Sequence, residues 1–137
     1  MPDQTRVRIS SDADIVMARQ QGRAMTVQLG FSTSDQALVA TAISELARNI
    51  LEYAGYGEII LELAQQGGRR GIVVIARDQG PGIPDIEKAM QDGYSTTKSL
   101  GLGLPGARRL MDDFEIVSKV GQGTTVTAKK WARQTLR

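Results

Sequence analysis

The chain contains neither cysteine nor histidine. The first absence removes disulfides and thiol nucleophiles, and the two together remove zinc sites of the usual Cys/His kind. Without histidine there is also no imidazole general base and no histidine for the chain to phosphorylate on itself. Aromatic residues are scarce, at 4%, which leaves little material for the stacking platforms of single-strand nucleic-acid binders. Long apolar runs are missing as well: the longest strongly apolar stretch is Ile72 to Ala76, far short of the ~18 residues that a membrane span needs. No basic segment followed by an apolar one opens the chain, so a cytoplasmic location is expected. Lysine and arginine number 17 against 15 aspartates and glutamates, a net charge of +2, so the pI near 9.2 is no nucleic-acid footprint. Neither a nucleic acid nor a membrane is expected as a partner.

What remains is 137 residues, 41% hydrophobic and 23% charged, enough for one ordinary domain with its own core. Glycine is over-represented, with 15 residues, and their positions matter. Gln4 to Ile9 alternates polar and apolar residues, as a half-buried strand does. Ser11 and Asp14 form a variant capping box before a helix whose apolar face is Ile15, Ala18, Gly22, Met25 and Leu29, with Gly30 as its stop. Thr33 with Gln36 is a second expected cap. It precedes a helix over about Asp35 to Ala54 that buries Val39, Ile43, Leu46 and Ile50 and ends at Gly55. Strands over Glu58 to Ala64 and Gly71 to Asp78 flank a six-residue loop containing Gly67 and Gly68. A short helix from Pro84 to about Met90, a mobile loop from Gln91 to Gly101 and a helix from about Gly103 to Asp113 follow. Strands over Glu115 to Val120 and Thr124 to Trp131 close the order β-α-α-β-β-α-α-β-β, with helices on one face of a mostly antiparallel sheet.

Four local patterns carry chemistry, and each has a plain structural alternative. Asp78-Gln79-Gly80-Pro81-Gly82 is either a strand-ending turn or a carboxylate offered to a base's exocyclic amine, with Gly80 and Gly82 admitting a flat ligand close to the backbone. Gly101-Leu102-Gly103-Leu104-Pro105-Gly106 is either a hinge into a helix or a phosphate cradle of bare N–H groups at a helix N-terminus. It matches neither GxxxxGK[ST] nor a dinucleotide GxGxxG. Glu45 and Asn49 are four residues apart and share one helix face beside the buried stripe. They are either a solvated pair or a base one turn from an amide oxygen that, with phosphates, holds Mg²⁺. Gly121-Gln122-Gly123-Thr124 is a hairpin turn, or a turn that aims the Thr124 hydroxyl at a bound base.

In this order the four patterns resemble the GHKL ATPase and kinase superfamily of gyrase, heat-shock chaperone and histidine-kinase catalytic domains. The superfamily's N-box is similar to Glu45-Leu46-Ala47-Arg48-Asn49 and its first glycine box to Asp78-Gln79-Gly80-Pro81-Gly82. Its second glycine box is similar to Gly101-Leu102-Gly103-Leu104, and its terminal Gly-x-Gly-Thr to Gly121, Gly123 and Thr124. Small size and the lack of histidine resemble the anti-sigma-factor-like serine/threonine kinases, in particular the stressosome switch kinases. That closer match lies in Ser44 to Ile50, Asp78 to Asp85, Gly103 to Gly106 and Arg109 to Phe114.

The resemblance implies one ATP-binding kinase domain over residues 1–137, an α/β (α+β) two-layer sandwich with a mixed, mostly antiparallel sheet. It implies ATP and Mg²⁺, phosphorylation of serine or threonine in STAS-domain substrate and scaffold proteins, and activation of a metal-dependent serine phosphatase once the kinase is released. Asp78 would then recognise adenine, helped by Thr124 and permitted by Gly80 and Gly82. Gly101, Gly103 and Leu104 would offer backbone donors to the phosphates, Asn49 would ligate Mg²⁺, and Glu45 would be the general base. Lys98 is a candidate phosphate contact or a solvated lysine, in a loop from Gly93 to Leu100 that would close as a lid. Alternatives are an anti-sigma kinase that sequesters a sigma factor and a nucleotide-gated adaptor that transfers no phosphate. Arg19 and Arg23, four apart on the first helix, are either solvated arginines or part of a docking surface for an acidic partner.

Overall fold

Alternating apolar residues decide which side of the sheet is covered. The computed structural model describes residues 4–83, 90 and 103–133. The elements are β1 (Gln4–Ile9), α1 (Asp12–Gln28), α2 (Thr33–Tyr53), β2 (Gly57–Gln66), β3 (Arg69–Asp78), α3 (Gly103–Leu110), β4 (Asp113–Lys119) and β5 (Gly123–Trp131). Val7 and Ile9 on β1, Ile59 and Leu61 on β2, Ile72, Val74 and Ala76 on β3, and Val126 and Ala128 on β5 all join one core with the helices. The period of two therefore turns a single face of every one of these strands toward the helical layer. On the other face Glu58 sits between Arg6, at 3.3 Å, and Arg77, at 2.6 Å. The Arg77 hydrogen bond, then the two guanidinium charges, holds the Glu58 carboxyl below the ordinary carboxylate range.

The strands lie in the order β1-β2-β3-β5-β4, and every neighbouring pair is antiparallel. The expected parallel component of the sheet is not found among the described residues. The connection from β1 to β2 shows why. Two successive helices carry the chain away and back, so β2 starts where β1 ends, with Ile9 opposite Gly57. The resulting two-layer sandwich is otherwise the fold expected.

Three boundaries differ from the sequence expectation, each for a local reason. The cap of α2 is Ser32, whose hydroxyl accepts from the Asp35 N–H at 3.1 Å, and not Thr33; the Gln36 amide instead donates to the Phe31 carbonyl at 2.9 Å. β2 and β3 run on to Gln66 and Arg69, because Gly67 and Gly68, with φ of 58° and 82°, make a two-residue turn that replaces the six-residue loop. Helix α3 stops at Leu110, short of Asp113, because Asp112 is drawn to β5: its N–H donates to the Lys129 carbonyl and its carboxylate accepts from the Trp131 N–H, both at 2.8 Å. On α1, Thr26 takes the buried place expected of Met25, which is only partly buried. The expected helix over Pro84 to Met90 and the loop after it lie outside the described residues, apart from Met90 itself.

Two measurements check this account. Ser32→Ala should destabilise the fold by ~1 kcal/mol while Thr33→Ala stays near neutral, read from urea midpoints. Because the folded pKa of Glu58 is depressed, its contribution is present above the unfolded value and lost as pH falls through the folded one. The urea midpoint of the parent should therefore fall more between neutral and acidic pH than that of Glu58→Gln.

Candidate active site

Strand alternation places Asp78 on the same side as Val74 and Ala76, facing the helices at the end of the central strand. It is flanked in register by Gly57 on β2 and Thr124 on β5. Asp78 and Thr124 are both buried. Asp78 Oδ1 accepts the Gly80 N–H at 2.8 Å, the local bond that turns the chain after the strand, so Oδ2 is the atom to which an amine would donate. The Thr124 hydroxyl lies 2.7 Å from Ser118 Oγ, which itself accepts the Ile83 N–H at 2.7 Å. Two turns from distant parts of the chain thus share one hydroxyl relay.

The glycines here answer first to the protein's own backbone. A Cβ on Gly82, where φ is +81°, would run into the Lys119 carbonyl, and one on Gly123, where φ is +106°, into the Asp78 carbonyl. A Cβ on Gly80 would come within 2.6 Å of the Ala54 Cβ, at the end of α2. The Gly121 N–H donates to the Pro81 carbonyl at 2.8 Å, so the turn after Asp78 and the β4–β5 turn are locked together. What lies close to these glycines in the structure is chain.

On α2, Glu45 and Asn49 are each only 8% exposed, a depth unusual for these residue types. Glu45 has partners: Oε1 accepts the Gly103 N–H at 3.0 Å and Oε2 accepts from Arg48 at 2.9 Å. The expected base and the expected phosphate cradle are therefore in direct contact. Leu104 is buried in the core just behind Gly103. The structure thus gathers Asp78, Gly80, Gly82 and Thr124 at the sheet end, and Glu45 and Gly103 between α2 and α3, with Asn49 one turn along α2. Lys98, Gly101 and the expected lid lie outside the described residues. Sequence reasoning missed two side chains and one contact. Arg48 was signalled by its spacing of three from Glu45, and Ser118 by its alternation with the partly buried Phe114 and Ile116. The Gly103–Glu45 contact, across 58 residues, left no local signal.

Among the described residues no group of three or more Asp, Glu, His or Cys gathers to hold a metal. A single amide oxygen from Asn49, completed by phosphate oxygens and water, is a donor set that suits Mg²⁺, which takes few protein ligands.

Asp78→Asn retains an acceptor for Gly80 but loses the charge, so the fold should hold while ATP affinity falls by about 10- to 150-fold, the range for losing a hydrogen bond to a charged group. Calorimetry beside a thermal melt checks both halves. Unchanged affinity would remove Asp78 from the site.

The model of the histidine kinase-, DNA gyrase B- and HSP90-like ATPase family matches residues 34–134, a span that contains every site residue described above. The chain is 56% identical over 133 residues to the serine/threonine-protein kinase RsbT of Bacillus subtilis (strain 168), covering 97% of this chain and 100% of that one. It is 33% identical over 130 residues to the anti-sigma F factor of Thermoanaerobacter sp. (strain X514), covering 90% and 89% of the two chains. Among solved structures, the mycobacterial sensor histidine kinase MprB shares the fold, with a TM-score of 0.56 at 16% identity over 96% of this chain and 99% of that one. The chain belongs to the histidine kinase-, DNA gyrase B- and HSP90-like ATPase family.

Proposed function

We propose that this chain, acting as one domain over residues 1–137, is the switch kinase of a cytoplasmic bacterial partner-switching module. It is an ATP-dependent serine/threonine-protein kinase. Its substrates are STAS-domain stressosome proteins, and once released from that scaffold it binds and activates a metal-dependent serine phosphatase. The observation that carries the reading is the 56% identity to the kinase RsbT over nearly the whole of both chains. No helix among the described residues is long and apolar enough to cross a membrane.

The residues divide the work as follows. Asp78 and Thr124 hold the adenine at the end of the central strand, in the turn that Gly80 and Gly82 allow. The N–H groups of Gly103 and Leu104, at the positive end of the α3 dipole, receive phosphate oxygens, and the family resemblance adds Gly101 and Lys98 as further phosphate contacts. Asn49 ligates Mg²⁺, which when bound offsets the phosphates' negative charge. Glu45 takes the proton of the acceptor serine or threonine as its oxygen bonds to the γ-phosphorus. The bond from that phosphorus to the bridging oxygen breaks, and ADP leaves with the electron pair. A nucleotide-gated adaptor without chemistry is disfavoured by the 56% identity to a serine/threonine-protein kinase over nearly the whole of both chains.

A second reading has its own support. The 33% identity to an anti-sigma F factor over 90% of this chain favours sequestration of a sigma factor as the alternative. Immunoprecipitation separates the two: STAS-domain proteins and a phosphatase in one case, a sigma subunit of RNA polymerase in the other. For the chemistry, Glu45→Gln should lower phosphotransfer to STAS-domain substrates by ~10²–10⁴-fold without loss of ATP affinity, in a radiolabelled transfer assay with parallel calorimetry. Asn49→Ala should instead abolish the magnesium dependence of binding. Transfer at the parental rate by Glu45→Gln would refute the base assignment.

A further inference from the structure

The Glu45 carboxylate is already occupied, and by the group that a ligand phosphate would use. Its Oε1 accepts the Gly103 N–H at 3.0 Å. Gly103 is the first residue of α3, so its N–H is one of the helix-start donors that no carbonyl within the helix can satisfy. The dipole adds positive character at the same point. Glu45 is thus an anion of the chain's own, placed where the proposed function puts an anion of the substrate. A carboxylate and a phosphate oxygen cannot take one N–H in the same line, and two negative charges at that distance repel.

We propose that Glu45 is a competitive internal occupant of the phosphate cradle, and that it becomes free to act as a base only when a phosphate takes its place at Gly103. Nucleotide binding and base release are then one event. The inference rests on the placement of phosphates at Gly103 in the proposed function. Arg48 supplies the second half of the device. Its guanidinium, three residues along α2 and 40% exposed, holds Oε2 at 2.9 Å. When Oε1 loses Gly103, this ion pair keeps the carboxylate partnered and on its own helix face, close to the site instead of turned away. Arg48 is therefore a positioning residue. The arrangement also explains why a base can lie buried beside the cradle in the empty chain without being an uncompensated charge. Apparent nucleotide affinity is lowered by the fraction of molecules in which the cradle is closed by Glu45.

The test follows the Gly103 amide by ¹⁵N NMR, in the parent, Glu45→Ala and Glu45→Gln, with and without the magnesium complex of a non-hydrolysable ATP analogue. In the nucleotide-free state the Gly103 resonance should differ clearly between the parent and Glu45→Ala, with Glu45→Gln, which keeps an acceptor without the charge, in between. With the analogue bound, the three resonances should converge. Calorimetry should show both variants binding the analogue more tightly than the parent, Glu45→Ala by about 2- to 5-fold, as removal of a helix-terminal anion implies. A Gly103 resonance indifferent to both substitutions in the nucleotide-free state would overturn the proposal. So would a difference that persists undiminished with the analogue bound. A parent that binds no analogue in calorimetry would defeat the ATP reading itself, an outcome distinct from normal binding with an unmoved Gly103.

Discussion

Helix α2 packs against the sheet below and between α1 and α3 on its flanks, so from Ala42 to Ile50 every residue but Arg48 is buried. A carboxylate in that stretch has no solvent to neutralise its cost and must find donors from the protein. Glu45 finds them on both sides, in Arg48 of its own helix and Gly103 of the next. That constraint ties the two halves of the site together. The bond that satisfies a buried charge is also the bond that sets where α3 begins relative to α2. Asn49, one turn further along, inherits its orientation from the same packing, with Leu46 and Ile50 on either side anchored in the core.

The sheet end obeys a different constraint, the close approach of backbone to backbone. Asp78 ends the central strand, and the two glycine-bearing turns beside it fold over each other so closely that neither Gly82 nor Gly123 has room for a Cβ. A side chain at either position would push the turns apart and move Asp78 with them. The Ser118 hydroxyl, bridging the Ile83 N–H and Thr124, belongs to the same assembly. In the proposed function, the base-recognition end of the site would therefore be held by rigid chain, and its phosphate end by a carboxylate that the ligand replaces. Rigidity where a flat ring must be discriminated and exchangeability where an anion must enter are opposite demands, and in the proposed function the two glycine boxes would meet them separately.

Much of this was legible in the sequence because it is local. The strand alternation in Gln4 to Ile9, the buried stripe of Val39, Ile43, Leu46 and Ile50, and the strand ending at Asp78 all follow from periodicity, and the structure keeps them. What escaped was decided across the fold. Asp112 reads as a helix residue until β5 lies beside it and offers the Lys129 carbonyl and the Trp131 N–H as partners. Thr33 reads as a cap until the backbone places the hydroxyl of its neighbour Ser32 over the Asp35 N–H. Gly80 and Gly82 read as room for a ligand, yet the contacts that forbid a Cβ come from Ala54 and Lys119, neither of which is a sequence neighbour.

Glu45 sharpens the same lesson. Its spacing from Asn49 identified a pair on one face of a helix, and family resemblance supplied a role for it. Neither could say what the carboxylate does while waiting. The answer depends on a residue 58 positions away whose N–H is left over by the geometry of a helix start. A general base in an open, solvated cleft would be available to any nucleophile, water included. On the proposed reading, a base engaged by the cradle would be withheld until the cradle is filled, and that order of events would favour transfer to a docked hydroxyl over idle hydrolysis.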